Sequence, residues 1–411
     1  MRILLLTDNY PPEVNAPAVR SYEHASVWQR LGAEVTVVTC APNFPRGRLY
    51  DGYANRLYQR RTEAGIDVVR VWSFISANEG FGRRILDYVS YAITATLASL
   101  RLDFDVVVAT SPQFFTAIAG RSVGALKRRP WVMEVRDLWP ESIRAVGAAR
   151  GPARLFDALE RLELSLYRSA RRVVVVTESF RDDLIRRGID TSKISVITNG
   201  VDVSAYPHRP KPAALVEALG LAGKVVVGYI GTHGLAHGLD FILSCAPELD
   251  ERLHFVFVGD GAMKAKLLAQ HAQLNLTNVT MLPPVPKAEV GKYLALIDIS
   301  LVPLRRSKTF ASVIPSKIFE SAAAETPILL GVEGESARII RKYGAGLTFK
   351  PEDRESFLEQ LHTLAFDDAL YARCRDACAS LAAAFDRTAL AERMYEVLKA
   401  TVADDNGPRR R

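Results

Sequence analysis

Short runs of apolar, β-branched residues alternate with longer amphipathic stretches along the chain. Runs at 2–7, 34–39, 68–72, 105–109, 131–135 and 173–176 form a first series of predicted strands. A second series follows at 224–230, 254–258, 279–282, 299–302, 328–330 and 347–349. Strands alternating with helical stretches predict parallel sheets covered by helices, so the fold class is α/β with two doubly wound, Rossmann-like domains. Between the series, Tyr206-Pro207-His208-Arg209-Pro210-Lys211-Pro212 reads as a stiff linker, which sets the boundary near residue 205 and a second domain from 206 to 387. Helices are predicted at 367–385 and 388–402, and residues 404–411 read as a disordered tail. Ligands of open α/β sheets sit beyond the carboxyl ends of the strands, so two such domains facing each other would form a cleft with one substrate on each wall.

Length agrees with that division, since 411 residues suit two cores better than one. The apolar run at the start, 2–6, is too short for a signal peptide. The best membrane-like stretch, 85–100, is broken by Asp87 and hydroxyl residues, so no transmembrane helix is predicted. Four scattered cysteines imply no disulfide framework and agree with a reducing cytoplasm. The net charge of +7 is uneven: residues 1–205 carry 28 Lys and Arg against 22 Asp and Glu, and the remainder 25 against 24. A basic first half attracts anions. Without an aromatic-interleaved basic stripe or a nucleic-acid motif, a lipid surface and a phosphate-bearing substrate are expected and nucleic acid is not.

The densest candidate chemistry lies in Val313-Ile314-Pro315-Ser316-Lys317-Ile318-Phe319-Glu320 and the small-residue run after it. Pro315 suits a first turn, and Lys317 and Glu320 are i, i+3 neighbours on the helix that follows. A helix start with a cation and then a carboxylate matches a nucleotide diphosphate followed by a ribose diol, although an ordinary surface pair has the same spacing. Pro-Ser-Lys-x-Phe-Glu, together with Ser195-Val196-Ile197-Thr198-Asn199-Gly200-Val201-Asp202 and Phe257-Val258-Gly259-Asp260-Gly261, resembles retaining GT-B glycosyltransferases of family 4. Within that family the chain is most similar to a branch of bacterial surface polysaccharide assembly that includes WbuB-like N-acetylfucosamine transferases. The resemblance implies a UDP-sugar donor whose ribose is held by Glu320. It also implies a last helix, about 388–403, that packs back onto the first domain.

In the resemblance, the donor wall comprises Gly231, Thr232, His233, Gly259, Asp260, Arg305, Ser316, Lys317 and Glu320. Glycines after a strand let backbone approach a diphosphate. Relatives often carry Arg and Lys in the loop at 231–238; here Thr232, His233 and His237 stand there, which leaves Lys317, Arg305, Arg306 and Lys308 as cations for the leaving group. The family's first glutamate of an E-x7-E pair is Ser312 in this chain.

The acceptor wall comprises Asn15, Ala16, Arg20, Arg136 and Trp139. Arg20 is a candidate for an acceptor phosphate, with a salt bridge to Glu23 or Glu13 as the alternative. Asp137 is the candidate that orients or deprotonates the acceptor hydroxyl, and with Lys317 and Glu320 it completes the catalytic set. Asp103-Phe104-Asp105 spells D-x-D but precedes a strand, so it reads as a turn and no metal or other cofactor is expected. Residues 82–93 predict either an interfacial membrane helix or a buried crossover helix. The resulting expectation is a cytoplasmic enzyme, peripheral on the inner membrane face, that glycosylates an undecaprenyl diphosphate-linked saccharide. A sugar-nucleotide 2-epimerase of the same architecture and a non-catalytic UDP-binding scaffold are the competing readings.

Overall fold

In the computed structural model, residues 1–44, 47–75, 81–111, 115–138, 153–307 and 309–406 are described. The chain divides into two compact units, Met1–Asn199 with Thr388–Arg411, and Gly200–Arg387.

The first unit holds an eight-stranded sheet in the order β3-β4-β2-β1-β5-β6-β7-β8. Its strands are β1 (Arg2–Leu6), β2 (Glu34–Cys40), β3 (Tyr58–Glu63), β4 (Ile66–Val71), β5 (Val106–Thr110), β6 (Trp131–Val135), β7 (Arg172–Val175) and β8 (Ile194–Val196). All pairs are parallel except β3 with β4. Every residue of β5 and of β6 is buried, as expected of strands covered by helices on both faces. Two strands were not predicted. Tyr-Gln-Arg-Arg-Thr-Glu of β3 is a mostly exposed edge with no apolar run, joined to β4 by a tight turn with Ala64 and Gly65 at φ 50° and 82°. The other, β8, is only three residues long.

The second unit holds a six-stranded sheet in the order β11-β10-β9-β12-β13-β14. Its strands are β9 (Val225–Ile230), β10 (Leu253–Val258), β11 (Val279–Leu282), β12 (Ile299–Pro303), β13 (Ile328–Gly331) and β14 (Gly346–Thr348), and all pair in parallel. Apolar clusters lie on both faces, one around Phe319 and Phe385 and one around Phe255, Phe257 and Phe357.

The Pro-rich segment is not the linker. The chain passes between units at Asn199–Gly200 and again at Arg387–Thr388. Just beyond the first passage, the Val201 amide donates to Phe385 O at 3.0 Å and Val201 O accepts from the Arg387 amide at 2.9 Å, which binds this segment to the second unit. Tyr206 is buried in the second unit's core, and Lys211 pairs with Asp298 at 2.6 Å. The last helix, Arg387–Asn406, lies against the first unit: the Trp28 indole donates to Ala391 O at 3.0 Å, and Leu390, Met394 and Leu398 share its apolar cluster. That helix runs into the predicted tail, because Asp404 is tied to Arg172 at 2.7 Å; residues 407–411 lie outside the described ones.

The helix Phe81–Ser99 lies between β4 and β5 and has one buried and one exposed side. It buries Tyr91, Ala92, Ala95 and Ala98, while Leu86, Ile93 and Leu97 form an exposed apolar stripe. No helix among the described residues is long and apolar enough to cross a membrane.

Candidate functional site

In the second unit, β9 has β10 on one side and β12 on the other, so the sheet reverses direction beside β9. That reversal opens a crevice at the strand ends, where α/β sheets bind ligands. Gly231 directly follows β9, Gly259 directly follows β10, and Lys317 opens the helix Lys317–Ala323 that follows β12. That helix is seated by a hydrogen bond of 2.6 Å between Ser321 Oγ and Ser300 Oγ of β12, and by Phe319 stacked on Phe385.

Three glycines make this crevice close. A Cβ on Gly231, which has φ 139°, would lie 2.6 Å from Lys317 Nζ. One on Gly259, at φ 147°, would lie 1.9 Å from Gly231 O, and one on Gly261 2.6 Å from His233 O. The last two are therefore needed for loop to pack on loop, and only Gly231 opens space next to a charged group. The His233 amide donates to Asp260 O at 2.8 Å, which fastens the two loops together.

Lys317 is half-buried and makes no ion pair among the described residues. Its Nζ lies over the Tyr229 ring at 5.0 Å, with His233 and His237 packed on the same ring at 5.9 and 5.7 Å. Burial lowers the pKa of Lys317, against a raising pull from Glu320 three residues on. Burial also lowers His233 to about 4, so its imidazole is neutral at pH 7, and His237 moves down for the same reason and through Lys317. Both ring nitrogens of His233 are buried without a hydrogen-bond partner among the described residues. Neutral imidazoles thus stand in the loop after β9. Glu320 lies on the same helix face as Lys317, next to Tyr206, while Ser316 and Thr232 are exposed. Asp260 is exposed and its carboxylate accepts from the Gly261 amide at 2.8 Å.

Arg305, expected to offer its charge to the donor, is engaged elsewhere. It pairs with Asp240 at 2.6 Å and Glu352 at 2.8 Å, and its Nε donates to Leu235 O at 2.9 Å, so the guanidinium braces loops around β12. The sequence reading missed this because Asp240 and Glu352 are remote along the chain. Lys264 is held similarly by the carbonyls of Gly259 and Leu282. Lys308 lies outside the described residues.

The first unit repeats the geometry between β1 and β5. Asn15 caps the helix Ala16–Arg30, accepting from the Ala18 amide at 2.9 Å and donating to Asn9 Oδ1 at 2.6 Å; Ala16 beside it is exposed. Arg20 faces inward from that helix and pairs with neither Glu23 nor Glu13. Its partner is Glu134 of β6, at 2.9 Å with both side chains buried, and it also donates to Ile197 O at 2.9 Å and Thr198 O at 2.7 Å. Glu13 instead accepts the amides of Asn43 and Phe44. Arg20 is therefore a buried brace rather than a free phosphate ligand, for it joins β6 to the end of β8. Burial would raise Glu134, but Arg20 and the neighbouring His24 and Arg136 hold it down at about 2.

Arg136 and Asp137 follow β6. The Arg136 amide donates to Ser111 Oγ at 2.9 Å, while Nε and Nη1 of its guanidinium are buried without a partner among the described residues. Asp137 is exposed at its surface, yet the protein around it raises its carboxyl, against the pull of Arg136. Trp139 lies outside the described residues. The D-x-D carboxylates sit at the opposite end of the sheet, Asp105 on Arg2 at 3.0 Å and Asp103 near Lys127 at 3.8 Å.

Residues 15–200 match the glycosyl transferase 4-like domain, and residues 224–367 match glycosyl transferases group 1. The chain is a GT-B glycosyltransferase, and hence a transferase enzyme. Among curated proteins it is similar to one named as a colanic acid biosynthesis glycosyl transferase, WcaI of Escherichia coli K12, at 25% identity over 87% of this chain and 90% of the relative. It is also similar to the glycosyltransferase WbjE of Pseudomonas aeruginosa, at 29% over 54% and 56%. Among solved structures, Anabaena HepE in complex with UDP superimposes with a TM-score of 0.70 at 15% identity, covering 97% of this chain and all (100%) of that one. WcaI is named for colanic acid biosynthesis, and these relatives do not single out the WbuB-like branch.

Proposed function

We propose that the protein transfers a sugar, with retention of configuration, from a UDP-sugar to a lipid-linked saccharide during assembly of a bacterial surface polysaccharide. The observation that carries this reading is the Lys317 ammonium, without an ion pair among the described residues, next to Gly231, with Glu320 one turn further on, at the point where the second unit's sheet reverses. Cleavage of the donor's glycosidic C–O bond leaves negative charge on the nucleotide's terminal phosphate. A preorganised ammonium in a partly desolvated crevice stabilises that charge more in the transition state than in the ground state. Neutral His233 and His237 add hydrogen bonds without adding charge. Glu320 takes the ribose hydroxyls, and Asp137 orients the acceptor hydroxyl in the first unit.

UDP as carrier draws support from the HepE complexes with UDP and with UDP-glucose, and a polysaccharide acceptor from the name of WcaI. Peripheral attachment to the inner membrane face is supported by the exposed Leu86, Ile93 and Leu97 stripe and the basic surplus of residues 1–205. The test incubates the protein and a bacterial membrane extract with a panel of UDP-sugars, and follows UDP release together with the mass of extracted lipids. Release that depends on extract, with a lipid heavier by one sugar, is expected. An altered sugar nucleotide without UDP release would identify a 2-epimerase instead, and UDP binding without any turnover would end the transfer reading.

A further inference from the structure

Arg136 and Arg20 flank the same carboxylate and meet opposite fates. Arg20 takes Glu134 at 2.9 Å and two backbone carbonyls, so its donors are filled. Arg136, two residues along from Glu134, makes no side-chain hydrogen bond to any described residue, and two of its guanidinium nitrogens are sealed from solvent. Leaving donors of a cation buried and unpaired costs folding free energy. A structural arginine in this position would be expected to take a carbonyl or share Glu134.

Place adds to chemistry. Arg136 leaves β6 next to β5, its own amide fixed by Ser111 at the end of β5, and β5 adjoins β1 where this sheet reverses direction. The Ala16–Arg30 helix opens at the same sheet edge, after β1. Carboxylates that act on Arg136 over distance, those of Glu134, Asp137 and Asp8, keep it charged without filling its donors, and Arg20 and neutral His24 complete its surroundings. A planar cation with open edges matches a phosphoryl group, which accepts several hydrogen bonds at once.

We propose that Arg136 is a preformed anion receptor, binding a phosphoryl group of the acceptor in the crevice at the ends of β1, β5 and β6. The assignment to the acceptor rests on the transferase reading above; the receptor itself does not. A lipid-linked diphosphate and a soluble sugar phosphate present the same group.

The test is isothermal titration of the full chain, already saturated with UDP so that the donor diphosphate site is occupied, with inorganic phosphate. Geranyl diphosphate and glucose 1-phosphate follow as separate titrants to distinguish the lipid source from the soluble one. Saturable phosphate binding is expected, weakened about 10- to 100-fold in Arg136→Gln and less in Arg136→Lys, with UDP affinity unchanged in both. In phosphate-free buffer, Arg136→Gln should melt at the same temperature as the parent or higher, because an unsatisfied cation has been removed. Phosphate affinity equal in Arg136→Gln and parent, or a lower melting temperature for Arg136→Gln with phosphate binding intact, would overturn the proposal. Should that variant fail to fold, Arg136→Lys decides by its phosphate affinity. Lys317→Ala separates the two readings: it should lose UDP and, titrated without UDP, keep phosphate, so a failed donor site leaves the receptor standing and the reverse.

Discussion

The two units reach the same arrangement with different residues. Each has a crevice where its sheet reverses, one cation pinned by carboxylate and one that makes no ion pair among the described residues. In the first unit the pinned cation is Arg20, buried on Glu134, and the open one is Arg136. In the second they are Arg305, half-exposed on Asp240 and Glu352, and Lys317 over Tyr229. Fold alone therefore does not say which basic residue serves a ligand. The count of partners does, because a charge already neutralised by well-placed carboxylates has little left to offer a phosphate.

Depth of burial gives the largest expected contrast. Arg20→Ala leaves Glu134 buried and unpaired, so urea denaturation of the first unit should show a loss of about 3–5 kcal/mol. The same residues set an acid dependence. Glu134 lies at about 2 against an ordinary 4.5, so its stabilisation is present above 4.5 and lost as pH falls towards 2. Buried His24 is lowered to about 3 from 6.5, so it too favours folding at neutral pH and loses that contribution as pH falls between those values. His24→Phe should flatten the stability profile from pH 6.5 downward and leave the larger part of the Glu134 contribution, which Arg20 sets, in place, as followed by thermal melts across pH.

Next comes the open cation of the second unit. Lys317→Ala should weaken UDP binding about 10- to 100-fold by titration calorimetry while the melting temperature stays near the parent's. Unchanged UDP affinity would remove Lys317 from the donor site and break the parallel between the units. Gly259→Ala probes the loops behind it. Its Cβ meets Gly231 O at 1.9 Å with φ 147°, so a destabilisation of about 1–3 kcal/mol is expected in the second unit, with weaker UDP binding as the loop shifts. The smallest effect belongs to Arg305→Ala, whose half-exposed pairs should contribute at most about 1 kcal/mol in a urea melt and leave UDP affinity within a few-fold. A large UDP loss in that variant would return Arg305 to the donor wall.

Most strands were legible because buried parallel strands are unbroken apolar runs, as in Val106–Thr110. The exposed edge Tyr58–Glu63 was not, since its register comes from pairing with β4 rather than from any apolar pattern of its own. Lys317, Glu320 and Gly231 could be picked out because strand, loop and helix follow in order and a short motif marks the spot. Arg20 and Arg305 stand as candidate ligand cations in the sequence because each is an ordinary basic residue in a loop or first turn, and their actual partners, Glu134 and Asp240, are not near them in the chain.

By itself, the amino-acid order determined two α/β units, most of their strands and the helix carrying Lys317 and Glu320, since these follow from local periodicity and neighbours within a turn. Only the tertiary structure decided which charges remain available. Glu134 and Asp240 are far along the chain from Arg20 and Arg305, and Coulomb attraction in a desolvated interior depends on distance in space, which sequence separation does not carry.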